Sequence, residues 1–214
     1  MKRIRKCITS ILLSLSLVLT LPTVLNMPVT VEAAKKASGL DTSIKGFVKA
    51  AKSCNYEKMN TYVKTLPQKA LFLDIQNYSA LQKYLKKCNG KLRYRILNKK
   101  VSKRTAKVQI QFRYVDASEF FINGSVLTFA EAAMLDLKNP DFIPDDATSA
   151  EEQRLMRPYV NKAYRNAAKI SPIKKFNTEV LSVSFVKTSS GWKIKKMDDS
   201  LANVILCNML YLSE

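Results

Sequence analysis

KLRYRILNKKVSKRTAKVQIQFRY, residues 91–114, holds nine basic residues and no acidic one. Its apolar residues alternate. Leu92, Tyr94 and Ile96 take turns with Lys91, Arg93 and Arg95. After a basic turn near Ser102-Lys103-Arg104, Val108, Ile110, Phe112 and Tyr114 take turns with Lys107, Gln109, Gln111 and Arg113. Successive side chains of a strand point to opposite faces, so a period of two separates an apolar face from a basic one. The stretch predicts two antiparallel strands joined as a hairpin, with one face on the core and the cations in water. Cations spaced in this way form the polar face of a half-buried sheet and not a disordered tail.

On the N-terminal side the period is helical. Asp41 is placed to cap a helix carrying Ile44, Phe47, Val48 and Ala51. Asn55 opens a second helix with Tyr56, Met59 and Val63, residues 69–74 read as a short strand, and Ser79 opens a third helix with Leu81, Tyr84 and Leu85. Asn89-Gly90 is a C-terminal stop signal for that helix. On the C-terminal side, residues 116–172 are mainly helical, with a helix over 129–137 and an acidic, turn-rich break over 139–146. Ser149-Ala150-Glu151-Glu152 reads as a capping box for a helix through Leu155, Tyr159, Ala163 and Ala167. Residues 178–187 and 192–197 form a second hairpin around Ser189-Ser190-Gly191, and Ser200 caps a closing helix over 201–212. Strand pairs separated by blocks of helix define an α+β class.

The N-terminus addresses the compartment. Lys2, Arg3, Arg5 and Lys6 precede an uncharged, Leu-rich run over 8–25, and Val31-Glu32-Ala33 offers a small residue at the cleavage position. This is the layout of a secretory signal peptide, residues 1–33. An uncleaved anchor is the alternative; Pro22 and Pro28 interrupt the stretch and favour processing. No later stretch reads as the run of about 20 apolar residues that a spanning helix needs. The expected mature chain is then a flexible leader over 34–40 and a single domain over 41–214, secreted or associated with the cell envelope.

That mature chain keeps a net charge near +16. The charge is uneven: residues 76–115 carry twelve Lys or Arg and no acid, and residues 116–152 carry nine acids against Lys138. Dense cations attract polyanions through a long-range field and counterion release. For an exported chain the available polyanions are anionic cell-wall polymers, membrane surfaces and acidic glycans, which argues against nucleic acid as the partner. The residues placed for such contact are Lys91, Arg93, Arg95, Lys107 and Arg113. The competing reading is a solvated face that keeps the protein soluble.

Two stretches carry a family resemblance. SIKGFVKAAKSCNYEKMNTYV, residues 43–63, is similar to the opening of nuclear-transport-factor-two-like (cystatin-like) proteins, specifically the small exported lumazine-binding-like domains of Gram-positive bacteria. Gly191-Trp192-Lys193-Ile194 resembles the closing strand of that family. The resemblance implies a curved antiparallel sheet forming a cone around the N-terminal helices, with a helical insertion between the hairpins and a C-terminal helix. It also implies an apolar pocket at the wide end for a small ligand. Tyr94, Phe112, Tyr114, Phe185 and Trp192 are the strand aromatics available to line it; filling the core is their alternative fate. Fold alone does not select among the enzymes, binders and dimerisation modules of such a family.

Catalytic signals are sparse. The chain has no His, which excludes Ser-His-Asp and Cys-His catalysis and His-based metal sites. Asp141, Asp145 and Asp146 lack the spacing of an EF-hand, so neither metal nor cofactor is expected. Tyr114 and Asp116, two apart at a strand end, are the one pair placed for proton transfer in an apolar cavity, provided burial raises the Asp pKa; ordinary strand-end residues are the alternative. The leading reading is a non-enzymatic binding domain of the cell envelope or medium; an enzyme built on this Tyr/Asp pair and an extracellular polyanion-binding protein acting through the hairpin are the alternatives. Cys54 and Cys88 sit in polar turn contexts and are candidates for a disulfide, with Cys207 packed as a small hydrophobe.

Overall fold

A computed structural model describes residues 39–144 and 146–210. The expected signal peptide over 1–33 lies outside the described residues. In chain order come α1 (Leu40–Lys52), α2 (Tyr56–Asn60), α3 (Lys69–Gln76), α4 (Ser79–Gly90), β1 (Arg93–Val101), β2 (Thr105–Val115), α5 (Ser118–Lys138), α6 (Ser149–Ile170), β3 (Phe176–Thr188), β4 (Gly191–Ile194) and α7 (Asp199–Ile205). The described residues therefore make an α+β fold of seven helices and one four-stranded antiparallel sheet in the order β1-β2-β3-β4.

The alternation in residues 91–114 sets the sheet. Tyr94 pairs with Phe112 and Ile96 with Ile110, while Arg93 pairs with Arg113 and Arg95 with Gln111. The register then shifts, Asn98 pairing with Gln109, so Leu97 is an extra residue on β1. Such a bulge re-aims the side chains that follow it. Lys99 accordingly pairs with Val108 on the apolar side, and its Nζ lies 2.5 Å from the Asp41 carboxylate of α1. The second hairpin turns at Ser189-Ser190, where Gly191 holds φ +106 and Thr188 Oγ1 donates to its carbonyl. That backbone conformation is open to glycine and strained for other residues. The chain after α2 covers the free edge of β4: Ile194 N–H donates to Tyr62 O and Lys64 N–H to Ile194 O.

The apolar sheet face, α1, α4 and α7 share one core that includes Phe47, Leu85, Phe112, Phe185, Trp192 and Ile205. Helices α5 and α6 pack as a hairpin beside it. Gly124 allows this, because a Cβ there would run into the Tyr164 ring of α6. The α5–α6 pair reaches the core through Phe120, whose ring stacks on Tyr84 of α4 at 3.6 Å.

Several boundaries differ from the sequence reading, each for a local reason. Leu40, grouped there with the leader, opens α1 and is fully buried, and Gly39 rather than Asp41 is the cap. Residues 69–74 are helix α3 and not a strand: Leu71, Phe72 and Ile75 bury together at helical spacing, a pattern that a six-residue window cannot separate from alternation. The capping box uses Thr148 with Glu151, one residue earlier than expected; Glu stands three residues after both Thr148 and Ser149, so the motif fits two registers. Asp198 and not Ser200 caps α7, and the helix stops at Ile205 because Cys207 and Asn208 take left-handed backbone angles of φ 57 and 74. By length and composition α5 also meets the requirement for a membrane-crossing helix, against the expectation that no stretch after the N-terminus would; one side of it packs on α6, and Ile122, Val126, Phe129 and Leu137 are exposed.

Candidate polyanion-binding face

Cross-strand partners share a face of a sheet, so the register locates every strand cation. Arg93 and Arg113 are opposite each other, Arg95 is opposite Gln111, and Lys100 is opposite Lys107. Across the next strand pair, Lys107 faces Ser184, Gln109 faces Ser182 and Arg113 faces Thr178. The outer face of the sheet thus carries Arg93, Arg95, Lys100, Lys107 and Arg113 among uncharged side chains, the exposed Val180 opposite Gln111 included. Glu179, the strand acid nearest to them, pairs with Phe112 and belongs to the opposite face. Like charges directly opposite on neighbouring strands are destabilising, and Arg93/Arg113 and Lys100/Lys107 are two such pairs. An anion lying along the face would offset that repulsion.

Lys91, the residue that follows α4, joins this face from its edge. Its Nζ lies 5.9 Å from the centre of the Phe176 ring, and the Arg113 guanidinium carbon lies 4.0 Å from the same ring. Cations over an aromatic face are held in place by the ring quadrupole. Arg93 Nη1 donates to Leu92 O at 3.2 Å. The field of the cluster is felt at Lys52: burial, and then the charge of Arg93, lower its ammonium pKa. All five cations expected for polyanion contact are therefore brought together, Arg93, Arg95, Lys107 and Arg113 by register and Lys91 through Phe176.

The five aromatics take the other face. Phe112, Tyr114, Phe185 and Trp192 are buried in the core cluster, and Tyr94 is half-buried against it. A cleft of about 320 Å³ opens elsewhere, between α4 and α6, and none of these five residues lines it. Tyr114 and Asp116 are separated in role. Tyr114 OH donates to Glu179 Oε2 at 3.3 Å. The Asp116 carboxylate accepts from Ser118 N–H at 3.0 Å, from the Ser118 hydroxyl, and from Asn208 Nδ2 at 3.2 Å. Burial pushes the Asp116 pKa upward, but the hydrogen bonds from Ser118 and Asn208 outweigh it and hold the carboxyl below its ordinary value. A general base in an apolar cavity needs the opposite shift. Asp116 is fitted to lock the β2–α5 turn to the chain beyond α7.

Among the described residues no group of three or more Cys, Asp or Glu side chains is arranged to hold a metal ion. Asp141 and Asp146 are described; Asp145 lies outside the described residues. The structure carries Cys54, Cys88 and Cys207 as free thiols. Cys207 Sγ donates to Asn89 Oδ1 at 3.7 Å and Asn89 Nδ2 donates to Cys54 Sγ at 3.5 Å, so the Asn89 amide lies between Cys54 and Cys207.

Glu179, on the core side of the sheet behind this face, is a half-buried acid that the sequence reading misses. The available signal is an acid on the apolar parity of a strand, in register with Leu181, Val183 and Phe185. Burial raises its pKa, the Tyr114 hydrogen bond opposes the rise, and Asp198 adds to it. The folded state thus holds this proton more tightly than the unfolded chain does. Its contribution is full below the unfolded pKa of about 4.3 and is lost as pH rises through the folded value. Glu179→Gln is expected to match the wild type in acid and to be more stable by about 0.5 kcal/mol near pH 7, after discounting for solvent screening. Urea midpoints at the two pH values check this; equal midpoints near pH 7 would mean that the carboxylate is not penalised by burial.

No protein-family model, curated protein or solved structure matches the chain.

Proposed function

We propose that this chain is an exported, non-enzymatic binding domain that holds an anionic polymer of the cell envelope on the outer face of its sheet. The observation that carries this reading is the register. It gathers Arg93, Arg95, Lys100, Lys107 and Arg113 on one face of the strands with uncharged neighbours. Cations spread along two neighbouring strands match a repeating phosphodiester or carboxylate chain, whose charges recur along its length, better than they match a compact ligand. The signal-like N-terminus supports the extracytoplasmic setting, and the resemblance of residues 43–63 and Gly191-Trp192-Lys193-Ile194 to lumazine-binding-like domains supports a cone-shaped, cystatin-like sheet. The hydrogen bonds that hold the Asp116 carboxylate in the β2–α5 turn favour binding over a Tyr114/Asp116 enzyme.

The test is binding of the mature chain to a synthetic poly(glycerol phosphate), followed by fluorescence anisotropy. With about five contacts releasing about 0.7 counterion each, a rise from about 50 to about 200 mM salt should weaken binding about a hundredfold. The triple variant Arg93→Glu, Arg95→Glu, Lys107→Glu should lose binding at both salt concentrations with an unchanged circular dichroism spectrum. Salt-independent affinity, or wild-type affinity in the triple variant, would reduce the face to a solvated surface.

A further inference from the structure

The cleft between α4 and α6 has a character of its own. Lys83 and Lys87 come to it from α4, and Arg165 and Lys169 come from α6. Each pair is spaced i, i+4, which places both side chains on the same side of their helix. Two cation pairs therefore share the cleft, and no acidic residue lines it. The described ion pairs lie elsewhere: Lys99 with Asp41, and Lys162 with Glu131 of α5. Like charges at i, i+4 weaken a helix, and two such pairs sharing one cleft add to the cost.

The walls are held in place. Asn161 Oδ1 of α6 accepts from Ala80 N–H at 2.9 Å and from Ser79 Oγ at 3.2 Å, so α6 supplies the N-terminal cap of α4. Tyr84 OH donates to Ser171 O at 2.9 Å, and its ring is clamped by Phe120. The cations thus stand on a fixed backbone, and little ordering of the walls is required when an anion enters. Between them the lining is small or apolar, with Ala80, Ala168, Pro172 and Ile173. A volume of about 320 Å³ is at the lower end of small-molecule sites.

We infer that this cleft binds a compact, multiply charged oxyanion of the diphosphate class, bridged between Lys83/Lys87 of α4 and Arg165/Lys169 of α6. Its phosphoryl oxygens are held by cations from both helices, with Arg165 able to bind two oxygens at once. The small apolar lining leaves room for a short organic substituent. The site is separate in sequence and in elements from the sheet face, so it stands or falls independently of the polymer reading.

The experiment is isothermal titration of the mature chain with sodium pyrophosphate at low ionic strength, in the wild type, in Lys87→Gln/Arg165→Gln and in Arg93→Gln/Arg95→Gln. All four positions are exposed, so the folds should be retained. One equivalent should bind the wild type, affinity should fall about tenfold or more in the cleft variant, and the sheet variant should keep wild-type affinity. No binding by the wild type would overturn the assignment. So would undiminished affinity in the cleft variant, or an equal loss in both variants, which would report only the net charge. Loss of polymer binding in the sheet variant with pyrophosphate binding intact would separate the two sites.

Discussion

Phe120→Ala is expected to lower the unfolding free energy by about 3–5 kcal/mol, the range for truncating a fully buried aromatic. Phe120 is completely buried at the point where three helices meet. Its ring lies nearly parallel to Tyr84 of α4, 3.6 Å away and tilted by 8°. It also meets Phe121 edge-on and Tyr164 of α6, each with ring centres 5.3 Å apart. Truncation removes the transfer free energy of the ring and leaves a void that the clamped neighbours fill poorly. The aromatic pairing with Tyr84 adds about 0.5–1.5 kcal/mol to what burial alone provides. The measurement is a urea melt with the m-value held as a control. A loss below about 1 kcal/mol would show that the α5–α6 hairpin is not cooperative with the sheet core. Because Tyr84 also lines the cleft, the same variant should weaken pyrophosphate binding through a loosened wall.

Asn89→Leu is expected to cost about 2–3 kcal/mol, although leucine has nearly the same volume. Asn89 is buried at the end of α4. Its Nδ2 donates to the Ile205 carbonyl at 2.9 Å and to Cys54 Sγ at 3.5 Å, and its Oδ1 accepts from Cys207 Sγ at 3.7 Å. One amide thus ties α4 to the last residue of α7 and to the turn after α1. Cys54 and Cys207 both hold left-handed backbone angles, a conformation that costs about 1 kcal/mol or more outside glycine and must be secured by its surroundings. Leucine would leave the Ile205 carbonyl without its donor. Thiol labelling provides a second readout. The neighbouring Cys88 thiol and burial raise the Cys207 thiol well above its ordinary pKa, so in the wild type it should react only as fast as the chain unfolds. In Asn89→Leu, Cys207 should be labelled faster through local opening of α7. Unchanged labelling together with unchanged stability would mean that the amide bonds add nothing beyond packing.

Elements with long, clean periodicity are legible in the amino-acid sequence. Residues 91–114 alternate over enough positions to specify both the strands and their faces. The first helix is equally clear from Ile44, Phe47, Val48 and Ala51. Short segments are not. Residues 69–74 satisfy both periods, and the choice of helix is made by what Leu71, Phe72 and Ile75 can bury against. The cap of α4 is not recoverable locally, because Asn161, eighty-one residues away from Ala80, supplies it. The cleft cations carry only a faint signal, two i, i+4 basic pairs in helices that nothing in the sequence places side by side. Glu179 is legible as an acid out of phase with its strand, but its contact with Tyr114 depends on register.

By itself the sequence determined the α+β class, the hairpin of residues 91–114 and the sorting of that hairpin into an apolar and a basic face. Side-chain direction in a strand alternates with chain position alone, so those features need no partner. Only the tertiary structure decided that the basic residues of two strands stand opposite one another and that α4 and α6 enclose a cationic cleft. It also decided that Asn89 joins the turn after α1 to the end of α7. Each of these depends on the relative placement of segments remote along the chain, which is set by how the whole apolar surface closes on itself and not by any local pattern.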